Sequence, residues 1–311
     1  MWRRVLAFLP MLLGASFLVF CLDTFIPGDA AVTLAGESAT PERVALIRTE
    51  LNLDEPLIPR YVHWVGDAAR GDLGDSLFSR RTVRSEIADR SKVTFTLVGG
   101  AILVAILLGG PLGILAARGG SWRDRFVTTV ATLGVAIPNF VIGIALIFVF
   151  GVKLGWLPTS RYVRPSAGLV EWARHLVLPV LTLSAVATAE LVRQLRSSLR
   201  AVLDGPLVRT AQSKGLAPNT ILFKHALPLA VSPALTVLSV QAARLFGAAA
   251  IVEQIFSIDG LGRLTVDAVL NRDLPILHGI VPLGVAVALG SSLAADVAQR
   301  WLDPRQRFAA R

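Results

Sequence analysis

Arg244 stands inside 229–256, a segment otherwise apolar enough to cross a bilayer. A guanidinium near the middle of such a segment costs at least about 2.5 kcal/mol to place in hydrocarbon. It therefore needs a partner or water. Two chemistries suit it: a translocation pathway or gate residue that meets solute carboxylates or carbonyls, or a structural tie to a neighbouring helix or a second subunit. Glu253 lies nine positions on, half a turn around the same helix, and is not an obvious partner. Elsewhere the reactive inventory is thin. His63, His175, His225 and His278 are scattered without metal-ligand spacing, and no Ser/His/Asp constellation is discernible. No G-x-x-x-x-G-K-[ST] phosphate loop occurs, so ATP binding is not expected on this polypeptide. The glycine-rich 109–120 lies largely inside an apolar run and reads as helix packing. Cys21 is the only cysteine and leaves no intrachain disulfide to form. The chain reads as a non-enzyme with no catalytic or metal site.

The elements that must position Arg244 are membrane helices. The 311 residues are 53% hydrophobic and 17% charged, with mean hydropathy +0.61, whereas a soluble domain carries about a quarter charged residues. Charge-free runs at 5–22, 93–117, 126–152 and 274–295 are each long enough to cross roughly 30 Å of hydrocarbon as helix. Two less clean runs, 176–192 with Glu190 and 229–256 with Arg244, bring the expected number to six. The net charge of +9 resides on one side. With the N-terminus inside, the inner pieces hold 15 Lys/Arg against 3 Asp/Glu, while the outer pieces hold 15 of each. That asymmetry follows the positive-inside rule, places both termini in the cytoplasm and argues against nucleic acid as the partner. The outer loop 153–175 runs against it, with Lys153, Arg161, Arg164 and Arg174 facing only Glu171. "MWRRVLAFLP" opens as a signal peptide does, but no clean cleavage site follows, so the first span is read as retained. Glu190 and Asp296, near span ends, have Arg193 and Arg300 at helical spacing and read as anchors.

The expected organisation is a first transmembrane helix at 1–25, an extracytoplasmic segment at 26–92, a five-helix core at 93–301 and a cytoplasmic tail at 302–311. Within the insert, 41–51 and 59–74 predict short helices, the second amphipathic and stopped by Gly71, with Tyr61 and Trp64 suited to the interface. Pro111, Pro138, Pro179, Pro233 and Pro282 punctuate the spans, and Gly109-x-x-x-Gly113 predicts a close helix crossing.

One polar stretch, 204–228, is built as a folded element. Asp204-Gly205-Pro206 is a helix start. Leu207, Val208 and Ala211 share a face, and Gly215 stands where a left-handed residue ends a helix. Pro218 opens a second short helix over 219–226, expected to stop by Leu227 because Pro228 follows. The result is a basic knob of two short helices feeding the fifth span.

"TAQSKG" (210–215) followed by "HALP" (225–228) resembles the EAA-type coupling motif of ABC importer membrane subunits, with Arg209 in the name-giving Glu position and Thr210 at the first Ala. "IPGDAA" (26–31), "RGDLGDSL" (70–77), "IPNFVIGIALIFVF" (137–150), "LGWLPTSRY" (154–162) and "EQIFSIDGLGRLTVDAVLNRD" (253–273) resemble, in order, the dipeptide/oligopeptide permease inner-membrane subunit. That resemblance implies an all-α, six-helix type I ABC importer permease in the bacterial inner membrane. It implies a heterodimer with a second homologous permease subunit, two ATPase subunits that carry ATP and Mg, and an extracytoplasmic substrate-binding protein. It implies ATPase coupling at Thr210, Ala211, Lys214, Gly215, Leu216, His225, Leu227 and Pro228. Arg263 and Asp273 become contacts for the binding protein, with a solvated turn as the alternative. Peptides are the expected cargo. Glutathione or nickel complexes suit the same machinery. A self-sufficient secondary transporter would instead show internal repeats and paired intramembrane acids, and neither is seen.

Overall fold

The computed structural model describes residues 2–25, 31–32, 40–50 and 54–302. Among them the secondary structure is helical, and the only strand pairing is an isolated bridge between Asp75 and Thr82. The helices are α1 (Trp2–Phe25), α2 (Pro41–Glu50), α3 (Leu57–Ala69), α4 (Val83–Arg118), α5 (Ser121–Ala136), α6 (Asn139–Leu146), α7 (Leu169–Leu203), α8 (Pro206–Ser213), α9 (Pro218–Ile255), α10 (Leu261–Leu270) and α11 (Leu274–Leu302). A π-helical turn, Ile147–Lys153, extends α6.

Among the described residues, four helices are long and apolar enough to cross a membrane: α4, α7, α9 and α11. The pair α5 and α6 passes the same test jointly but is bent by 101°. The run 126–152 is therefore not one continuous helix, and the kink expected at Pro138 is a full break. Pro138 is the cause: it supplies no N–H and pushes the preceding residue out of the helical region, and Ile137 is extended at φ −86° and ψ 125°. Helix α1 is 24 residues long, and its described side chains, 8–21, form one apolar stretch.

The chain forms two compact units, 1–94 with 259–289, and 95–258 with 290–311. In the first, α3 packs on α1 through an aromatic cluster. Phe20 stacks on His278 with centroids 3.7 Å apart, Tyr61 and Trp64 lie 5.3 and 5.4 Å from Phe20, and the Tyr61 hydroxyl donates to the Leu13 carbonyl at 2.8 Å. Helix α3 ends at Ala69, as expected, with Gly71 at φ +89°. Gly279 approaches the start of α4 so closely that a Cβ there would meet Val83 and Ile87 at 2.9 and 2.8 Å.

The second unit is built around α7, where 61% of the most apolar window is buried. Its 35 residues span about 50 Å, well beyond the 17 expected from hydropathy. The Gly109/Gly113 pair does bring α4 onto α7: added Cβ atoms would sit 3.1 Å from the Thr188 carbonyl and 3.1 Å from Leu195 Cβ. Ala116, Val127, Ala131, Ala189 and Val192 join α4, α5 and α7 in one apolar cluster.

Candidate functional site: a capped helix fused to a long span

Helix α8 begins where Pro206 presets the first turn, with Gly205 as its N-cap. One face is apolar: Val208 and Ala211 are buried against Ile221 and Leu203. Leu207, expected on that face, is instead 36% exposed, because burial follows the 208/211 line and leaves 207 at its edge. At the C-terminus the Gly215 amide donates to the Gln212 carbonyl at 2.9 Å, and the Leu216 amide to the Ala211 carbonyl at 3.2 Å. With Gly215 at φ +74°, these two bonds make a complete Schellman cap. Thr210 and Ser213 turn their hydroxyls back onto the Pro206 and Arg209 carbonyls, each at 3.0 Å.

Past the cap the structure corrects the expected second short helix. The chain is helical from Pro218 without a stop: a turn at Pro218–Thr220, a π-helical segment at Ile221–Ala226, then α-helix from Leu227 to Ile255. Pro228 does not end the helix. The π segment changes the bonding register just before it, so the missing N–H and the ring fall where the wider turn takes them up. Ile221, Leu222 and Ala226 are buried; Leu222 and Ala226 pack with Leu191, Leu195 and Leu199 of α7. The knob is thus continuous with α9.

Thr210, Lys214, Gly215 and Leu216 are exposed, with Phe223 and Lys224 beside them; Ala211 is buried, and His225, Leu227 and Pro228 are half-buried. The expected coupling residues therefore divide into an exposed set that a partner could touch and an inner set that holds it. A groove of about 410 Å³ runs along this element, lined by Arg118, Arg200, Asp204, Gln212, Leu216 and Pro218 among others. Arg118 donates to Asn219 at 2.9 Å, tying the end of α4 to the start of α9.

Sequence reasoning missed the clamp behind this element. Asp124, at the start of α5 and 8% exposed, accepts from Nε and Nη2 of Arg196, the latter at 2.7 Å, and pairs with Arg200 at 3.0 Å. The available signal was a lone acid between Arg123 and Arg125 in an otherwise basic piece. Glu190 does pair with Arg193, at 3.2 Å. The side chain of Arg300 lies outside the described residues, as do 26–30 of "IPGDAA" and the tail from 303.

Arg244 is exposed on α9, and its guanidinium meets no carboxylate among the described residues. Glu253 is fully buried on the same helix. In the first unit, Arg263 is one-third exposed and pairs with Asp259 at 3.1 Å and Asp267 at 4.0 Å. Asp273, expected at the surface, is 4% exposed. Its carboxylate accepts from the Ser76 hydroxyl at 2.5 Å and from the Leu77 and Phe78 amides at 3.1 and 3.4 Å. It holds the 76–78 turn, because three donors converge on it there. Glu86, also buried, takes Arg81 and Arg90 at 3.2 and 3.3 Å.

Comparison with known proteins agrees over nearly the whole chain. Residues 109–308 match the binding-protein-dependent transport system inner membrane component, and residues 1–98 match the N-terminal part of such components. The chain is 37% identical over 307 residues to a probable peptide ABC transporter permease protein of Sinorhizobium fredii, covering 98% of both chains. It is likewise 37% identical over 307 residues to a glutathione transport system permease protein of Escherichia coli, again covering 98% of both. Its fold resembles the inward-facing methionine ABC transporter MetNI, at 18% identity and TM-score 0.56, over 70% of this chain and 96% of that one. An amino acid ABC transporter aligns at 17% identity and TM-score 0.54, over 70% and 94%. A helical membrane chain that matches the family over nearly all its length, on the fold of a type I ABC importer permease, belongs to the binding-protein-dependent transport system inner membrane components.

Proposed function

We propose that this chain is one of two membrane subunits of an ATP-driven importer of di- or oligopeptides, and that α8 with the start of α9 couples it to a cytoplasmic ATPase subunit. Hydrolysis belongs to two partner ATPases that carry ATP and Mg. A second, homologous permease subunit completes the pathway, and an extracytoplasmic binding protein delivers the peptide. The setting is the bacterial inner membrane, with six spans (α1 and the bent α5–α6 pair each counted as one) and both termini cytoplasmic. The domain limits follow: 1–25 for the first span, 26–92 outside, 93–301 for the core with the coupling segment 204–228, and 302–311 for the tail.

The observation that carries this reading is the covalent continuity of the knob with a 38-residue helix, Pro218–Ile255. A partner that grips exposed Lys214, Gly215, Leu216 and Phe223 displaces the end of a span, since nothing slack intervenes. Coupling of this kind is a two-state element biased by a ligand. Thr210 lies on the gripped face, while Ala211, His225, Leu227 and Pro228 fix its shape. Arg244 is assigned to the pathway or its gate, where peptide carboxylates supply the carboxylate partner it lacks among the described residues. Arg263 is assigned to binding-protein docking, with Asp273 acting through the turn it holds.

The test is co-purification of the tagged chain from native membranes in mild detergent. A second permease subunit and ATPase subunits in the eluate support the reading. Recovery of the chain alone, still transporting after reconstitution without added ATPase, overturns it. Peptide rather than glutathione cargo is read from what the co-purifying binding protein releases on denaturation.

A further inference from the structure

The break between α5 and α6 exposes backbone at membrane depth, twelve residues after Arg125 and fifteen before Lys153 with no charge between. The Ile137 amide still reaches the Leu133 carbonyl at 3.0 Å, but Pro138 has no N–H, and the Val141 and Ile142 amides turn to the Pro138 carbonyl at 3.0 and 3.3 Å. No backbone donor is left for the carbonyls of 134–137. Two side-chain oxygens in the same unit are also buried without a partner among the described residues, Asn139 Oδ1 at the start of α6 and Thr188 Oγ1 on α7. Their neighbours on α7 differ: the Thr182 and Ser184 hydroxyls bond back to the Leu178 and Leu181 carbonyls at 2.8 and 3.1 Å. The break lies along this part of α7, since a Cβ on Gly134 would touch Ala189 at 3.5 Å and one on Gly143 would touch Thr182 at 3.1 Å.

Ala136, Ile137 and Pro138 are exposed. Irregular backbone with unpaired carbonyls is not stable against lipid; at that depth it must face protein or a water-filled cavity. Against four carbonyls, the backbone of the break offers only the Asn139 and Phe140 N–H groups as donors, and the Asn139 side-chain amide and Thr188 hydroxyl each bring donors as well as an acceptor. The backbone of the break is acceptor-rich.

We propose that the Pro138 break lines the translocation route and that its acceptors, the carbonyls of 134–137 and the adjoining Asn139 side-chain oxygen once the transport cycle uncovers it, take the N–H and ammonium donors of a passing peptide. This rests on the importer reading. It gives the route a counterpart to Arg244: one element for carboxylates, another for amines and amides.

The experiment uses the complete importer in proteoliposomes, with Cys21, the chain's only cysteine, replaced by Ser. Ala136→Cys is treated with a charged, membrane-impermeant methanethiosulfonate and compared with Leu107→Cys, exposed within the apolar run of α4. Labelling is scored on this chain after gel separation. The expected result is labelling of A136C about tenfold faster than L107C, changing when vanadate traps the ATPases. In parallel, Asn139→Leu lowers maximal uptake of radiolabelled trialanine about tenfold while ATP hydrolysis continues, in keeping with loss of a hydrogen bond to a charged group; Asn139→Asp, which keeps acceptor oxygens, retains uptake. Unlabelled A136C in an assembly that hydrolyses ATP means the break faces lipid or the second subunit and overturns the inference. Equal uptake by the Leu and Asp variants removes the acceptor role. Absence of ATPase partners, read by co-purification beforehand, instead overturns the importer reading.

Discussion

Replacing Gly215 with Val tests whether the shape of the knob, rather than its chemistry, transmits force. A Cβ at 215 would meet nothing within 4 Å, so no clash answers for the effect. The cost is conformational: at φ +74° an L-residue loses about 1–2 kcal/mol, with a β-branched side chain at the upper end. If the residue instead returns to negative φ, the Gly215 and Leu216 amides leave the Gln212 and Ala211 carbonyls, two bonds worth about 0.5–1.5 kcal/mol each. The capped state is thus weakened by about 1–2 kcal/mol if the strained angle is kept and by about 1–3 kcal/mol if it is not, a factor of at least about 5 in its population. Buried Val208, Ala211 and Ile221 keep α8 attached to its base, so the chain still folds and inserts. The assay is ATP-driven uptake alongside retention of ATPase subunits through purification. G215V should lose uptake and partner retention together, by about an order of magnitude. Gly215→Asn, whose side chain tolerates the left-handed region, should restore most of both. If G215V and G215N transport equally well, or fail equally while the chain remains folded, the cap does not set the coupling geometry and the reasoning is refuted.

Three further outcomes follow from the geometry. Asp124→Ala strands Arg196 and Arg200 and should lower thermal stability in detergent by about 2 kcal/mol, between the surface and buried limits for ion pairs; a double-mutant cycle with Arg196→Ala should return most of it as coupling energy, and additive effects would deny the clamp. Gly151→Ala would drive a Cβ into Thr159 Cγ2, costing about 1–3 kcal/mol by overpacking; adding Thr159→Ala should recover it, and failure to recover would mean the 147–153 turn is not held by that contact. Asp273→Ala leaves the Ser76 hydroxyl and the Leu77 and Phe78 amides without their acceptor, and should cost about 3 kcal/mol and open 76–82 to limited proteolysis; unchanged cleavage would show that the turn does not depend on Asp273.

How much of this was legible in the sequence depended on how local the cause was. The α8 cap could be read because Pro206 and Gly215 act through their own backbone angles. The close packing of α4 on α7 was readable from Gly109 and Gly113 for a similar reason, since absence of a side chain is a property of one position. Hydropathy found the membrane but not the lengths of its helices. Helix α7 runs from Leu169 to Leu203, because charged ends can remain helical once they emerge from lipid, so the polar tail carrying Arg196 and Arg200 was invisible as helix. Partners distant in sequence were illegible altogether: Asp124 to Arg196 is 72 residues and Ser76 to Asp273 is 197, and no spacing rule connects them.

The two prolines show where local rules stop. Pro138 and Pro228 carry the same intrinsic penalties, yet one breaks a span and the other is absorbed. The difference lies in what surrounds each freed backbone group. Before Pro228 the chain winds as a π segment, and Leu222 and Ala226 pack on α7, so burial holds the helix together while the register shifts. Before Pro138, Ala136 and Ile137 are exposed, so burial does little to oppose the extended angles that proline favours. One proline thus sits in a strut and the other at a bend. On the proposed reading, in which force travels along α9 and cargo passes α5 and α6, the subunit needs both.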